Sequence, residues 1–118
     1  MPDSLTSVLT SYYDAVPYDS HPFPQTAVEH LEATAFLFGL ETPPPAGARV
    51  LELGCAAGNN LIPFAERHPG ARALGLDLSS VQIAQGVSAI ERLGLSNVEV
   101  KTFDISEVDA SLGQFDYI

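Results

Sequence analysis

Tryptophan is absent, cysteine and methionine occur once each, and only five residues are Lys or Arg against fifteen Asp or Glu. Each scarcity excludes something. A lone cysteine, Cys55, cannot form an intrachain disulfide, so a reducing, cytoplasmic setting is expected. Scattered basic residues and a formal charge of -10 argue against a nucleic-acid partner, because phosphate contacts need clustered Lys and Arg. No apolar run approaches membrane-spanning length, and Met1-Pro2-Asp3-Ser4-Leu5 has no basic segment leading into an apolar one. A soluble, unexported protein with no membrane partner is therefore expected. The three histidines, His21, His30 and His68, are isolated; His30 has Thr34 rather than a ligand four residues on, so no metal site is expected.

What is present centres on Arg49-Val50-Leu51-Glu52-Leu53-Gly54-Cys55-Ala56-Ala57-Gly58-Asn59-Asn60. Val50, Leu51 and Leu53 form a short apolar run with little alternation, the pattern of a parallel strand covered on both faces. Gly54, Ala56, Ala57 and Gly58 then strip the following turn of bulk, which lets backbone pass close beneath a ligand at the strand's carboxyl end. Asn60 is placed as a helix cap with Pro63 in the first turn. A dinucleotide fingerprint would need glycines at 54, 56 and 59; the chain has Gly54, Ala56 and Asn59, so that spacing fails at two of three positions. Cys55 sits near a helix start, where thiolates are stabilised, but no histidine is close in sequence, and a small loop residue is the simpler reading.

The rest of the chain builds an α/β unit around this strand. A short helix is expected from Leu5 to Tyr13. It leads into a stiff, proline- and aromatic-rich arm, Tyr12 to Thr26, that either packs on the sheet or closes over a ligand with Tyr18. Thr26-Ala27-Val28-Glu29 reads as a capping box opening an amphipathic helix with Val28, Leu31, Ala35, Phe36 and Leu37 on its apolar side, ending near Gly39. Glu41 to Gly47 is a proline-rich connector. After the central strand come a helix from Asn60 to Arg67 stopped by Pro69-Gly70, a second strand Arg72–Asp77, and a helix that starts in the Ser79-Ser80-Val81-Gln82 capping box and ends at Gly94. A third strand, Val98 to Asp104, a short helix within Ser106 to Leu112, and the start of a fourth strand at Phe115-Asp116-Tyr117-Ile118 complete the pattern. The expected division is 1–46 for the helical arm and 47–118 for the sheet unit.

Glu52, Asp77 and Asp104 close the first, second and third strands. In a parallel sheet such ends share one rim, so the three acids are expected at one crevice, with Asp77 able to accept both hydroxyls of a ribose.

The frame acid-x-Gly-x-Gly-x-Gly fits Glu52, Gly54 and Gly58, with Ala56 as one substitution. Together with Leu76-Asp77-Leu78-Ser79 and Phe103-Asp104-Ile105, it resembles the class I S-adenosylmethionine-dependent methyltransferases over Val50 to Ile118. The resemblance implies a Rossmann-like parallel sheet, S-adenosylmethionine or S-adenosylhomocysteine as ligand, and a role for each matched residue. Glu52 and the Gly54, Cys55, Ala56 and Gly58 backbone, with Asn60 beside them, would hold the methionine end. Asp77 would bind the ribose hydroxyls, Leu78 would pack on adenine, and Asp104 with the Ile105 backbone would read the adenine edge. Tyr13-Asp14-Ala15-Val16-Pro17-Tyr18, Pro22 to Thr26, Leu37-Phe38-Gly39-Leu40 and Asn60-Leu61-Ile62-Pro63 further resemble bacterial methyltransferases with a C-terminal regulatory domain, some of which methylate protein lysines.

The family's strand order, 3-2-1-4-5-7-6, implies that this chain supplies strands three, two and one and the start of four. The expectation is an incomplete, cofactor-binding half without efficient turnover, associating with a second copy through the strand-four edge. The methyl acceptor and catalytic residues are not specified by the sequence. Two other readings stay open: a non-catalytic cofactor-binding or interaction fragment of the same fold, and an NAD- or FAD-dependent oxidoreductase domain.

Overall fold

The computed structural model describes residues 4–17 and 19–118. Its regular elements are α1 (Leu5–Ala15), α2 (Val28–Leu37), β1 (Arg49–Leu53), α3 (Leu61–Arg67), β2 (Arg72–Asp77), α4 (Ser80–Leu93) and β3 (Val98–Thr102), with short 3-10 turns between them. The strands form one parallel sheet in the order β1-β2-β3, with Arg49 opposite Arg72 and Ala73 opposite Val98. Parallel neighbours need a crossover, and α3 and α4 supply the two. The Phe115–Ile118 segment lies on the far side of β1 as a single parallel bridge between Val50 and Tyr117 rather than as a full strand. Leu51 N–H donates to Tyr117 O at 3.0 Å, and Asp116 N–H donates to Arg49 O at 2.8 Å. The sheet is thus the Rossmann-like arrangement 3-2-1 with the fourth segment in its expected place.

The core lies between the sheet and its helices. Val50, Ala73, Val98 and Val100 from the strands pack with Leu61, Phe64 and Ala65 of α3 and Ile83 of α4. Each such large aliphatic or aromatic burial stabilises the fold by roughly 1.5–3 kcal/mol. Helix ends follow the chemistry of their caps. Ser79 Oγ accepts from Gln82 N–H at 3.3 Å to open α4, and Gly94, at φ 65°, lets Leu95 N–H turn back to Ile90 O. Asn97 Nδ2 donates to both Ala65 O and His68 O, closing the end of α3 from the turn before β3.

Four expectations need correction. The capping box at Thr26 does not form: Thr26 Oγ1 donates to Phe23 O within a 3-10 turn, and Ala27 precedes α2 without a side-chain cap. The expected apolar side of α2 meets no continuous core, since Val28 alone of its residues is buried and Phe36 is 79% exposed. The third strand stops at Thr102, two residues before Asp104, because the Asp104 side chain caps a 3-10 turn, Ile105–Glu107. The short helix expected before the fourth strand is replaced by two 3-10 turns, Ile105–Glu107 and Ala110–Leu112.

Candidate functional site

The loop after β1 is shaped by three left-handed residues: Gly54 at φ 76°, Ala56 at φ 51° and Gly58 at φ 78°. For Gly54 the reason is conformational, as an added Cβ would meet nothing within 4 Å. Ala56 carries a side chain in a region that costs an L-residue roughly 1–2 kcal/mol. Its N–H donates to Asp77 Oδ2 at 2.8 Å, which holds it there. Gly54 and Cys55 N–H groups both donate to Leu76 O, at 2.7 and 3.0 Å, so the loop is fastened to the end of β2 at adjacent points.

Close packing beneath the loop sets a different requirement. A Cβ on Gly75 would stand 2.7 Å from Cys55 Sγ and 2.9 Å from Leu61 Cδ1, so β2 must be bare where Cys55 turns inward. Cys55 is 4% exposed, and burial, with the charges of Asp77 and Glu52, pushes its thiol up to about 12. A thiol so held is not a nucleophile at neutral pH.

A cleft of about 630 Å³ opens above this loop. Gly54, Ala56, Asp77 and Leu78 form its floor, Asp104 and Ile105 one side, and Leu5, Leu9 and Tyr13 of α1 the other. Six sequence-identified positions therefore meet at one place, while Cys55 and Gly58 lie behind it and shape the loop. Asp77 accepts from Ala56 N–H with one oxygen and from Ser79 N–H, at 2.9 Å, with the other. Each carboxylate oxygen has a second lone pair, which leaves capacity for ligand hydroxyls. Asp104 Oδ1 accepts from Ser106 N–H and Oγ, and its Oδ2 accepts from Thr6 Oγ1 at 2.9 Å. The Ser106 hydroxyl first, then its amide and Thr6, hold this carboxyl below the usual aspartate range.

Glu52 and Asn60 line an adjoining cleft of about 320 Å³ on the β1 side, between Leu31 of α2 and Tyr117. The three acids thus divide: Asp77 and Asp104 share one cleft, and Glu52 faces its neighbour while still feeling the Asp77 charge. Glu52 Oε1 accepts from Asn60 Nδ2 at 3.1 Å, whereas Oε2 is buried without a partner. Burial, with the nearby Asp77 charge, raises its pKa above the ordinary glutamate value. Asn60 does not cap α3 with its side chain. Its backbone is already helical, and the amide turns instead to the arm, donating to Thr26 Oγ1 at 2.6 Å and accepting from Phe23 N–H at 3.1 Å. Asn59 Nδ2 adds a bond to Ser20 O. Tyr18 lies outside the described residues.

Sequence reasoning passed over three residues that shape the site. Thr6 reaches Asp104, Asn59 reaches the arm, and Asp14 accepts from Ser79 Oγ, Ser80 Oγ and Val81 N–H at the start of α4. Only proximity in the fold reveals them.

A family model described as a methyltransferase domain matches residues 50–118, more than half of the chain. The chain belongs to that family. This methyltransferase domain is 47% identical to an uncharacterised protein of Rickettsia prowazekii (strain Madrid E) over 106 residues, covering 90% of the chain and 19% of the relative. Among solved structures, PKMT2 from Rickettsia typhi in complex with AdoHcy superposes with a TM-score of 0.81 at 42% identity, over 86% of this chain and 19% of that one. The N-terminal domain of EvdMO1 with SAH bound gives 0.56 at 31% identity, over 74% of this chain and 34% of that one. The methyltransferase domain described here thus spans about a fifth of the length of these two Rickettsia relatives and 42% of a second uncharacterised Rickettsia prowazekii protein.

Proposed function

We propose that this chain binds S-adenosylmethionine and forms the cofactor-holding part of a methyltransferase whose acceptor is a small molecule or a protein side chain. The observation that carries the reading is the buried, unpartnered Glu52 Oε2 beside a loop of left-handed backbone. A buried carboxylate oxygen without a hydrogen bond is costly, and an ammonium group satisfies it. When bound, S-adenosylmethionine supplies a methyl group made electrophilic by its sulfonium. The chain's residues hold and orient it. Glu52 and the Gly54-to-Gly58 backbone take the methionine end, Asp77 the ribose hydroxyls, Leu78 the adenine face, and Asp104 with the Ile105 amide the adenine edge. Orientation and exclusion of water then provide most of what an in-line displacement needs. Tyr18 and the arm are proposed to close over the site, with Asn59 and Asn60 tying that arm to the loop.

The proposed division falls at residues 46 and 47, supported by Ala48 being the fully buried residue with which the sheet's packing begins. Calorimetric titration with S-adenosylhomocysteine and with NADH tests the reading: the former is expected to bind, and binding of NADH alone overturns it. Association through the Phe115–Ile118 edge belongs to the same proposal, supported by the exposed Ile118 beside a segment paired by only one bridge. Light scattering that shows a monodisperse monomer removes it.

A further inference from the structure

Helix α1 is attached to the domain in an unusual way. None of its eleven residues is buried. Leu5, Leu9 and Tyr13, spaced to share one face, line the large cleft rather than a core. Its anchorage is polar and sits at both ends. Thr6 Oγ1 donates to Asp104, and Asp14 near the other end accepts from Ser79 Oγ at 2.9 Å, Ser80 Oγ at 2.8 Å and Val81 N–H at 3.2 Å.

The Asp14 attachment falls where it is electrostatically strongest. The first turn of α4 presents amide groups without helical partners and the positive end of the helix dipole. Ser79, which is fully buried, lies two residues beyond Asp77, so the clasp adjoins the cleft floor. An isolated helix of this length is marginal in water. Leu5 and Leu9 turn apolar surface toward the cleft, where a flat apolar group would cover it.

We propose that Asp14 is a positioning residue for the cofactor: by clasping α1 to the start of α4, it sets Leu5, Leu9 and Tyr13 as the wall that closes on the adenosine end of the ligand. This rests on the cofactor reading given above. It differs from that reading in placing part of the ligand's cover on a helix remote from the glycine loop in sequence.

Two measurements test it. In the wild-type protein, S-adenosylhomocysteine is expected to slow amide hydrogen exchange across residues 5–15. In Asp14→Ala, calorimetry is expected to show affinity for S-adenosylhomocysteine and for 5′-methylthioadenosine reduced by the same factor, about tenfold. The melting temperature without ligand should fall by at most about 5 °C, since α1 contributes no buried residue but the buried Ser79 hydroxyl loses its acceptor. A purely structural role would lower that melting temperature as much and leave both affinities and the ligand-dependent exchange in place. Unchanged affinities in the folded variant overturn the proposal. If Asp14→Ala does not fold, the wild-type exchange experiment decides alone: ligand bound with α1 unprotected overturns it. Failure of wild type to bind S-adenosylhomocysteine overturns the underlying cofactor reading instead.

Discussion

The sheet unit and the segment before it are held by different forces. From Ala48 onward, strands and helices share a packed interior of Val50, Phe64, Leu76, Ile83 and Val100. Of residues 4–44, Val28 is the only buried one among those described. The earlier segment is fastened instead by polar contacts: Asp14 to α4, Thr6 to Asp104, Phe23 and Thr26 to Asn60, and Glu29 to Arg67 and His68. Apolar packing is lost all at once, whereas exposed hydrogen bonds exchange with water individually. A cover made this way can open while the floor stays folded.

The largest expected effect breaks the sheet unit. Phe64→Ala removes a side chain only 2% exposed, and urea denaturation should show a loss of about 3–5 kcal/mol. Next comes Asp77→Ala, which removes the carboxylate that fixes both Ala56 N–H and Ser79 N–H. Calorimetry should find S-adenosylhomocysteine binding weakened by roughly 1–3 kcal/mol; an unchanged constant in a folded variant would contradict the ribose assignment.

Glu52→Gln separates stability from binding. The folded chain holds the Glu52 proton more tightly than the unfolded chain does, because burial and Asp77 raise its pKa. Its contribution to stability is therefore full below the unfolded pKa and is lost as pH rises through the folded one. The glutamine variant lacks that loss, so at neutral pH it should melt above wild type while binding S-adenosylhomocysteine about tenfold less tightly. A variant less stable than wild type at neutral pH would remove the claim that the carboxylate is held at a cost.

Ala56→Gly should stabilise the loop by about 0.5–1 kcal/mol, since glycine tolerates φ 51° without a Cβ penalty; thermal melts would detect it. Smallest is Phe36→Ser, at a position 79% exposed, with an expected change under about 0.5 kcal/mol in urea denaturation. A loss comparable to that of Phe64→Ala would erase the contrast between the two regions.

The same contrast explains what could be read from sequence. The limits of β1 and β2, the Ser79 start and Gly94 end of α4, and the meeting of Asp77 and Asp104 at one cleft follow from local periodicity, cap chemistry and parallel topology, whereas Leu78 and Ile105 are singled out by the family resemblance. These signals lie within a few residues of each position. The Thr26 capping box failed because Asn60, 34 residues away, offers its amide to that hydroxyl. Asn60 likewise gave up its expected capping role to bridge the arm and Glu52. Side chains that cap equally well at short or long range leave no periodic trace, and Asp14 is the clearest instance, with its partners 65 to 67 residues along the chain.

Cys55 gives the molecule a clock. It is the sole thiol, it packs against Gly75 in the buried layer under the glycine loop, which Leu61 shares, and it stays protonated there. A thiol-trapping reagent must wait until that layer parts and the group recovers the acidity of a free cysteine. The trapping rate then counts openings of the floor, where Cys55 packs against Gly75. A ligand that binds only the closed floor slows the clock in proportion to its occupancy. Two processes that a melting curve would merge, the lifting of a helix and the parting of a loop from its strand, thereby acquire separate rates.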